Sequence, residues 1–233
     1  MKVLVIPDVH LKPEVFDRAM EIMENSDCEK AVCVGDVADD WGCEGNVELY
    51  EKTMKKMIEF AEKYPETLWC YGNHDLAYVW DLYDHPGFSI KAKDVVCEYF
   101  EELDSTGNLA IMHRIDNVVF SHAGLTREFV ETYLSEYSDD IDAMIEAVND
   151  FSEDVMWDDV SPVWARPQNY YVDGDVVPAE YLNVVGHTPV RSIQSQGNLL
   201  TVDTFSTWSD GRPFGDCTMC WVDTVTKEWG YCD

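Results

Sequence analysis

The sequence predicts an α/β fold, and three observations carry that prediction. Short runs of apolar, β-favouring residues alternate with helical patterns through the first 75 residues, an order that calls for parallel strands joined by crossover helices. Five of the apolar runs are followed by turn residues that deliver Asp, Asn or His: Ile6-Pro7-Asp8-Val9-His10, Val34-Gly35-Asp36-Val37-Ala38-Asp39, Tyr71-Gly72-Asn73-His74-Asp75, Phe120-Ser121-His122-Ala123-Gly124 and Val185-Gly186-His187-Thr188. Each such turn falls at the C-terminal mouth of its strand, where open α/β sheets place their ligands. Singly, any of these residues is ordinary turn chemistry; five in one order are a site.

The elements follow from the pattern. A buried strand over 2–6 ends at the Asp8/His10 turn. Pro13 suits the start of a helix, and Val15, Phe16, Ala19, Met20, Ile22 and Met23 continue it at helical spacing to about Asn25. A strand over 31–34 leads to Gly35-Asp36. Asn46 can cap a long helix to Tyr64, with Tyr50, Met54, Met57, Ile58 and Ala61 on its apolar stripe and Pro65 closing it. Thr67-Leu68-Trp69-Cys70 is a strand that Gly72 breaks. A helix is expected over 92–104, then a strand pair over 109–114 and 117–121 that delivers His122. Two acidic helices follow over 126–138 and 139–149. Residues 151–177 are irregular and rich in aromatics (Trp157, Trp164, Tyr170, Tyr171), which suits a substrate-facing wall or a cap on the core. A short strand over 183–185 precedes His187. Strands over 193–196 and 199–203 form a hairpin about Gly197-Asn198, and strands near 218–222 and 228–231 finish the chain. Without repeats, low-complexity tracts or linkers, residues 1–233 read as one domain.

Charge excludes some partners. Forty-six acidic residues against 16 basic ones give a formal −30, a field that repels polyanions and opposes Lys/Arg contacts to phosphate backbones. Nucleic-acid binding is not expected, nor docking on an anionic membrane. Of the 8 cysteines, Cys33 and Cys70 sit in buried strand patterns, Cys28, Cys43 and Cys97 follow no spacing, and the pair Cys217/Cys220 lacks the second pair of a zinc site. They read as small hydrophobes in a reducing compartment. With no signal-like or membrane-length apolar run, the expected location is the cytoplasm.

Carboxylate, imidazole and amide oxygens are the donors at the five mouths, and thiolates are absent from them. That set suits a pair of divalent cations sharing one ligand, and favours Mn, with Fe or Zn as alternatives. The ordered motifs Asp8-x-His10, Gly35-Asp36-x-x-Asp39, Gly72-Asn73-His74-Asp75, Ser121-His122-Ala123-Gly124 and Gly186-His187-Thr188 resemble the calcineurin-like metallophosphoesterases. Within these they are most similar to the phosphoprotein phosphatases, including the bacterial, phage and dinucleoside-tetraphosphatase branches. The resemblance implies a four-layer α-β-β-α sandwich with two mixed sheets, and direct attack of metal-bound hydroxide on a phosphoester. It implies Asp8, His10 and Asp36 at the first metal. Asp36 would bridge to the second, completed by Asn73, His122 and His187. His74 would protonate the leaving oxygen with Asp39 orienting its imidazole, and Asn73 would also face the phosphate. Arg166 resembles the phosphate-clamping arginine of the bacterial branch. A guanidinium suits a phosphoryl group, though a salt bridge is the competing role in so acidic a chain. Asp75 reads as structural. His85 and His113, outside the motifs, read as surface or packing residues.

Three departures narrow the reading. Asp40-Trp41 stands where the family carries Arg-Gly, so a carboxylate faces the incoming phosphate and Asp40→Arg is expected to lower KM. Leu11 replaces a glycine after His10. Gly186-His187-Thr188-Pro189 has no second histidine, which argues against the nuclease and phosphodiesterase branches. The expected function is hydrolysis of phosphomonoesters, in a small molecule or as phosphoserine, phosphothreonine or phosphotyrosine in a protein. A dinucleoside polyphosphate hydrolase is the alternative, with the 157–171 aromatics available to stack a base. A catalytically silent metal-binding protein is a third reading, opposed by retention of every ligand and of the His74/Asp39 pair.

Overall fold

Alternation along the first strand sets the layers. In β1 (Lys2–Ile6), Val3 and Val5 join one apolar cluster while Leu4 and Ile6 join another, because successive side chains of a strand point to opposite faces. The structure, a computed structural model, describes residues 1–137 and 140–232.

One face of β1 packs beneath helices α1 (Glu14–Asn25), α2 (Val47–Lys63), α3 (Asn73–Val79) and α4 (Lys93–Asp104). Between α1 and α4 run β2 (Lys30–Cys33) and β3 (Leu68–Cys70), followed by β4 (Leu109–Ala110). These strands pair in parallel in the order β1-β2-β3-β4, with Ile6 opposite Cys33 and Cys33 opposite Trp69. Asn46 Oδ1 accepts from Leu49 N at 3.3 Å, the cap the sequence called for. Tyr50, Met54, Met57 and Phe60 are the buried stripe of α2.

The second sheet comprises β5 (Met112–Ile115), β6 (Val118–Ser121), β7 (Leu182–Val185), β8 (Gln194–Gln196) and β9 (Leu199–Thr201), in the order β5-β6-β7-β9-β8. Its inner face supplies Val118, Phe120, Val184 and Leu200 to the core shared with Val3, Val5, Val32 and Val34. Its outer face carries Met112 and Val119 against α5 (Arg127–Tyr133), α6 (Ile141–Asn149) and α7 (Glu153–Met156). The result is the α-β-β-α sandwich with two mixed sheets.

Two local expectations are corrected. The strand expected over 109–114 is two strands: β4 closes the first sheet and, after Ile111, β5 opens the second. At that crossing the Asn149 side chain accepts from Met112 N (2.8 Å) and donates to Met112 O (3.0 Å). The helix expected over 126–138 stops at Tyr133, with a 3₁₀ turn over Ser135–Tyr137; the junction expected at Ser138 and Asp139 lies outside the described residues. The last hairpin, β10 (Met219–Asp223) and β11 (Trp229–Cys232), forms where the sequence places its strands and joins the first sheet. β10 lies antiparallel beside β1 at the opposite edge of the first sheet.

Asn149→Ala removes both hydrogen bonds to Met112 and should destabilise the fold by about 1–2 kcal/mol. A urea midpoint unchanged from the parent would show that the sheet crossing does not depend on this side chain.

Candidate metal centre

Five strands of the two sheets end at one cleft. β1, β2 and β3 bring Asp8, Asp36 and Asn73, and β6 brings His122 from across the sandwich. His187 follows β7. The backbone must bend sharply to do this. His10, Asp36, Asp39 and His187 all take positive φ, at 44°, 49°, 64° and 61°, a region that non-glycine residues rarely adopt and that concentrates at functional sites. Two glycines of the motifs are there for space. A Cβ on Gly72 would overlap Asp36 Oδ1, and one on Gly186 would overlap Asp8 Oδ1.

Asp36 stands at the middle. Its Oδ1 accepts from the His74 backbone N–H at 3.0 Å. Its Oδ2 lies 3.8 Å from His10 Nε2 and 3.2 Å from His122 Nε2, so one oxygen faces both donor groups. The first group is Asp8, His10 and Asp36; the second is Asp36, His122 and His187. Asn73 completes the second, with Oδ1 3.0 Å from His122 Nε2, which is itself 3.1 Å from His187 Nδ1. Donors bound at about 2.1 Å to one ion at right angles stand roughly 3 Å apart, so these spacings suit cation ligands.

The imidazoles are oriented for that role. His10 Nδ1 meets Asp39 O at 2.9 Å, His122 Nδ1 meets Val34 O at 2.9 Å, and His187 Nε2 meets Trp164 O at 3.0 Å. A backbone carbonyl accepts only from an N–H, so each ring is held through one nitrogen and directs the other toward the centre. Asp8 Oδ2 accepts from His187 N at 2.9 Å, while among the described residues its buried Oδ1 has no hydrogen-bond partner. Asp8, Asp36 and Asp203 are all buried within this one region. Burial, with Asp203 nearby, pushes the Asp8 carboxyl well above its usual range. Burial also holds His10 and His187 below theirs. At His122 burial is outweighed by Asp36, and the group is pushed up to about 9. Buried carboxylates are expensive without a counter-charge, and two divalent cations fit this donor set.

His74 stands outside both groups. Its Nδ1 is 3.0 Å from Asp39 Oδ2, and its ring lines the cleft. Burial opposes its charge, but Asp36 and then Asp39 prevail and raise its proton affinity above the ordinary imidazole. Asp75 is structural: Oδ1 accepts from Val37 N and Ala38 N, and Oδ2 from Gly72 N. Arg166 also lines the cleft. Its Nη1 donates to His187 O (2.8 Å) and Thr188 Oγ1 (3.2 Å), and among the described residues it makes no ion pair, so the competing salt-bridge role does not hold.

The Asp40 expectation is corrected. Its Oδ2 is paired with Lys12 Nζ at 2.9 Å, and its Oδ1 accepts from Thr207 Oγ1 at 2.6 Å. The charge expected to repel phosphate is balanced by Lys12. Of the aromatic stretch, Trp164 lines the cleft, whereas Tyr171 Oη donates to Asn198 Oδ1 and serves packing.

Sequence reasoning missed several residues. Tyr50 and Tyr78 each donate a hydroxyl to Asp39 Oδ1 at 2.6 Å, fixing the carboxylate that holds His74. The available signal was a tyrosine on the buried stripe of a helix, whose hydroxyl needs a partner. His85, assigned no role, is buried beside His74 with ring centroids 4.4 Å apart, and its Nε2 is 3.1 Å from Asn73 Nδ2. An amide nitrogen only donates, so His85 accepts there and turns Asn73 Oδ1 toward His122. His113, by contrast, meets Trp69 O at 2.9 Å and does stay out of the site.

Comparison with known proteins fits this geometry. A profile of the calcineurin-like phosphoesterases matches residues 1–208. The chain belongs to that family. Calcineurin-like phosphoesterases are divalent-metal-dependent hydrolases of phosphoesters, and this chain is a metal-dependent phosphoesterase. Among solved structures, a cold-active protein tyrosine phosphatase superposes with a TM-score of 0.61 at 16% identity, over 95% of this chain and 73% of that one. An archaeal phosphodiesterase (TM-score 0.43, 14% identity, 99% of this chain and 98% of that one) is also similar. So is a metallophosphoesterase from Sphaerobacter thermophilus (TM-score 0.45, 14%, 99% and 87%). At such identities the likeness is one of fold, and of these three only the first is close enough to carry it. No curated protein matches the chain.

His85→Ala frees the Asn73 amide to turn. It should weaken the affinity for one of two Mn ions by about 10- to 100-fold and leave the other intact, read by calorimetric titration. Two unchanged affinities would show that His85 does not orient Asn73.

Proposed function

We propose that this calcineurin-like phosphoesterase hydrolyses phosphomonoesters, carried by small molecules or by serine, threonine or tyrosine side chains of proteins, and that it uses two divalent cations, with Mn favoured. The observation that carries the reading is the position of Asp36, whose Oδ2 faces both donor groups while its Oδ1 receives the His74 amide. Asp8, His10 and Asp36 would hold one ion; Asp36, Asn73, His122 and His187 would hold the other. Such a pair, when bound, neutralises the phosphoryl oxygens and lowers the pKa of water.

The chain's own residues do the rest. Arg166 and the Asn73 amide edge face the cleft and position the phosphoryl oxygens. Water supplies the new P–O bond and loses a proton to solvent, the bond from phosphorus to the leaving oxygen breaks, and that oxygen takes a proton from His74, which solvent then restores. With Nδ1 held by Asp39, the His74 nitrogen available for this transfer is Nε2. Asp39, clamped by Tyr50 and Tyr78, keeps the imidazole charged and aimed. The free thiols of Cys28, Cys33, Cys43, Cys70, Cys97, Cys217 and Cys220 support a reducing, cytoplasmic setting, and among the described residues no helix is long and apolar enough to cross a membrane.

Two variants separate binding from acid catalysis. Asp36→Asn should lose tight binding of the metal pair together with turnover, and two retained ions on elemental analysis would contradict a shared ligand. His74→Asn should keep its metals while turnover of a phosphoserine peptide falls by about 10²–10⁴-fold. The loss on p-nitrophenyl phosphate should be much smaller, since nitrophenolate leaves without a proton. Equal losses on both substrates would remove His74 from the acid role.

A further inference from the structure

Beyond the metal ligands the cleft, of about 510 Å³, has a wall that neither chemistry nor core packing explains. Residues 206–214 fold into a small hairpin, with Thr207 bridged to Pro213, Trp208 N bonded to Arg212 O (2.9 Å) and Phe214 N to Ser206 O (2.8 Å). Both its anchors lie at the metal centre. Ser206 donates to the buried Asp203 through its N–H (3.2 Å) and its hydroxyl (2.9 Å), and Thr207 donates to Asp40, which Lys12 holds from the other side. The carboxylate that replaces the family's usual arginine therefore fastens this hairpin in place.

What the hairpin presents is apolar. Trp208 leans on Phe214 with ring centroids 4.7 Å apart yet stays 45% exposed, and Trp41, the residue after the Asp40 anchor, is 62% exposed. All three line the cleft that holds His74 and Asp36. Exposed indoles held at the mouth of a pocket mark a binding surface more than a packing accident. Charge selects the occupant. Glu44 stands on the rim and the chain carries a formal −30, so a leaving group bearing further phosphates is repelled. A neutral ring is not, and it offers the flat apolar area that an alkyl group such as the methylene of phosphoserine lacks.

We propose that Trp41, Trp208 and Phe214 form a leaving-group subsite that takes the uncharged aromatic ring of an aryl phosphomonoester. The inference rests on the phosphomonoesterase reading for the reaction itself: water adds to phosphorus and loses a proton to solvent, the P–O(aryl) bond breaks, and the phenoxide takes a proton from His74, which solvent restores.

Calorimetry with phenylphosphonate and methylphosphonate, which share a charged head and are not hydrolysed, tests the subsite on the Mn-loaded protein. Phenylphosphonate should bind about 2- to 10-fold more tightly. Trp41→Ala and Trp208→Ala should each bring that ratio towards one, and Trp208→Phe should keep it. Equal binding of the two phosphonates to the parent protein, or a ratio untouched by both alanine variants, would overturn the proposal. Turnover is scored separately. A loss of kcat/KM in Trp208→Ala that is larger on phenyl phosphate or on a phosphotyrosine peptide than on phosphoserine supports the subsite, and the ester with the larger loss shows whether the ring is free or peptide-borne. A protein that keeps the phosphonate preference but hydrolyses none of these esters would retain the subsite and lose the phosphomonoesterase reading.

Discussion

The structure depends on burying the carboxylate of Asp36 between two sets of side chains that could hold a metal ion. That group lies at the C-terminal end of a parallel strand, beside Asp8 and near Asp203, in a region from which water is nearly excluded. Carboxylates so placed repel one another and lose their hydration, a cost that an apolar core cannot return. Three imidazoles held by backbone carbonyls face them, each directing its second nitrogen at the centre. The arrangement makes physical sense as a receptacle for cations, and the fold around it is shaped to hold it.

That shaping is visible in the backbone. Left-handed conformations at His10, Asp36, Asp39 and His187 are local strain, kept because the strands beneath are locked by parallel pairing and by a core of Val, Leu and Ile on both faces. The positioning extends outward in layers. Tyr50 and Tyr78 fix Asp39, Asp39 fixes His74, and His85 fixes Asn73. Asp40 extends the same logic to the far wall, trading a direct phosphate contact for a clamp on the hairpin that carries Trp208. The donor floor and an aromatic wall are thus linked through two adjacent residues, Asp39 and Asp40.

Much of this was legible in the sequence because it depends on strand-and-turn chemistry. The five motifs have residue types that only make sense at strand mouths, and the structure gathers Asp8, His10, Asp36, Asn73, His122 and His187 in one place. The remainder was hidden because it depends on tertiary return. His85 lies in a loop beyond α3, and nothing within its local sequence shows that this loop folds back onto Asn73. Tyr50 satisfied a helical stripe equally well as a core residue, so its hydroxyl partner could not be read. Asp40 was assigned a repulsive charge because Lys12, distant in sequence, supplies the compensation. The placement of β10 beside β1, and the split of β4 from β5 at Ile111, are choices among edges that local propensity does not make.

The central claim is that one carboxylate oxygen serves two cations. Electron paramagnetic resonance of the Mn-loaded protein tests it most directly, because ions that share a ligand are magnetically coupled. The account predicts two Mn ions per chain and the spectrum of an exchange-coupled pair. A single bound ion, or two ions with the spectrum of isolated, uncoupled Mn, would contradict it.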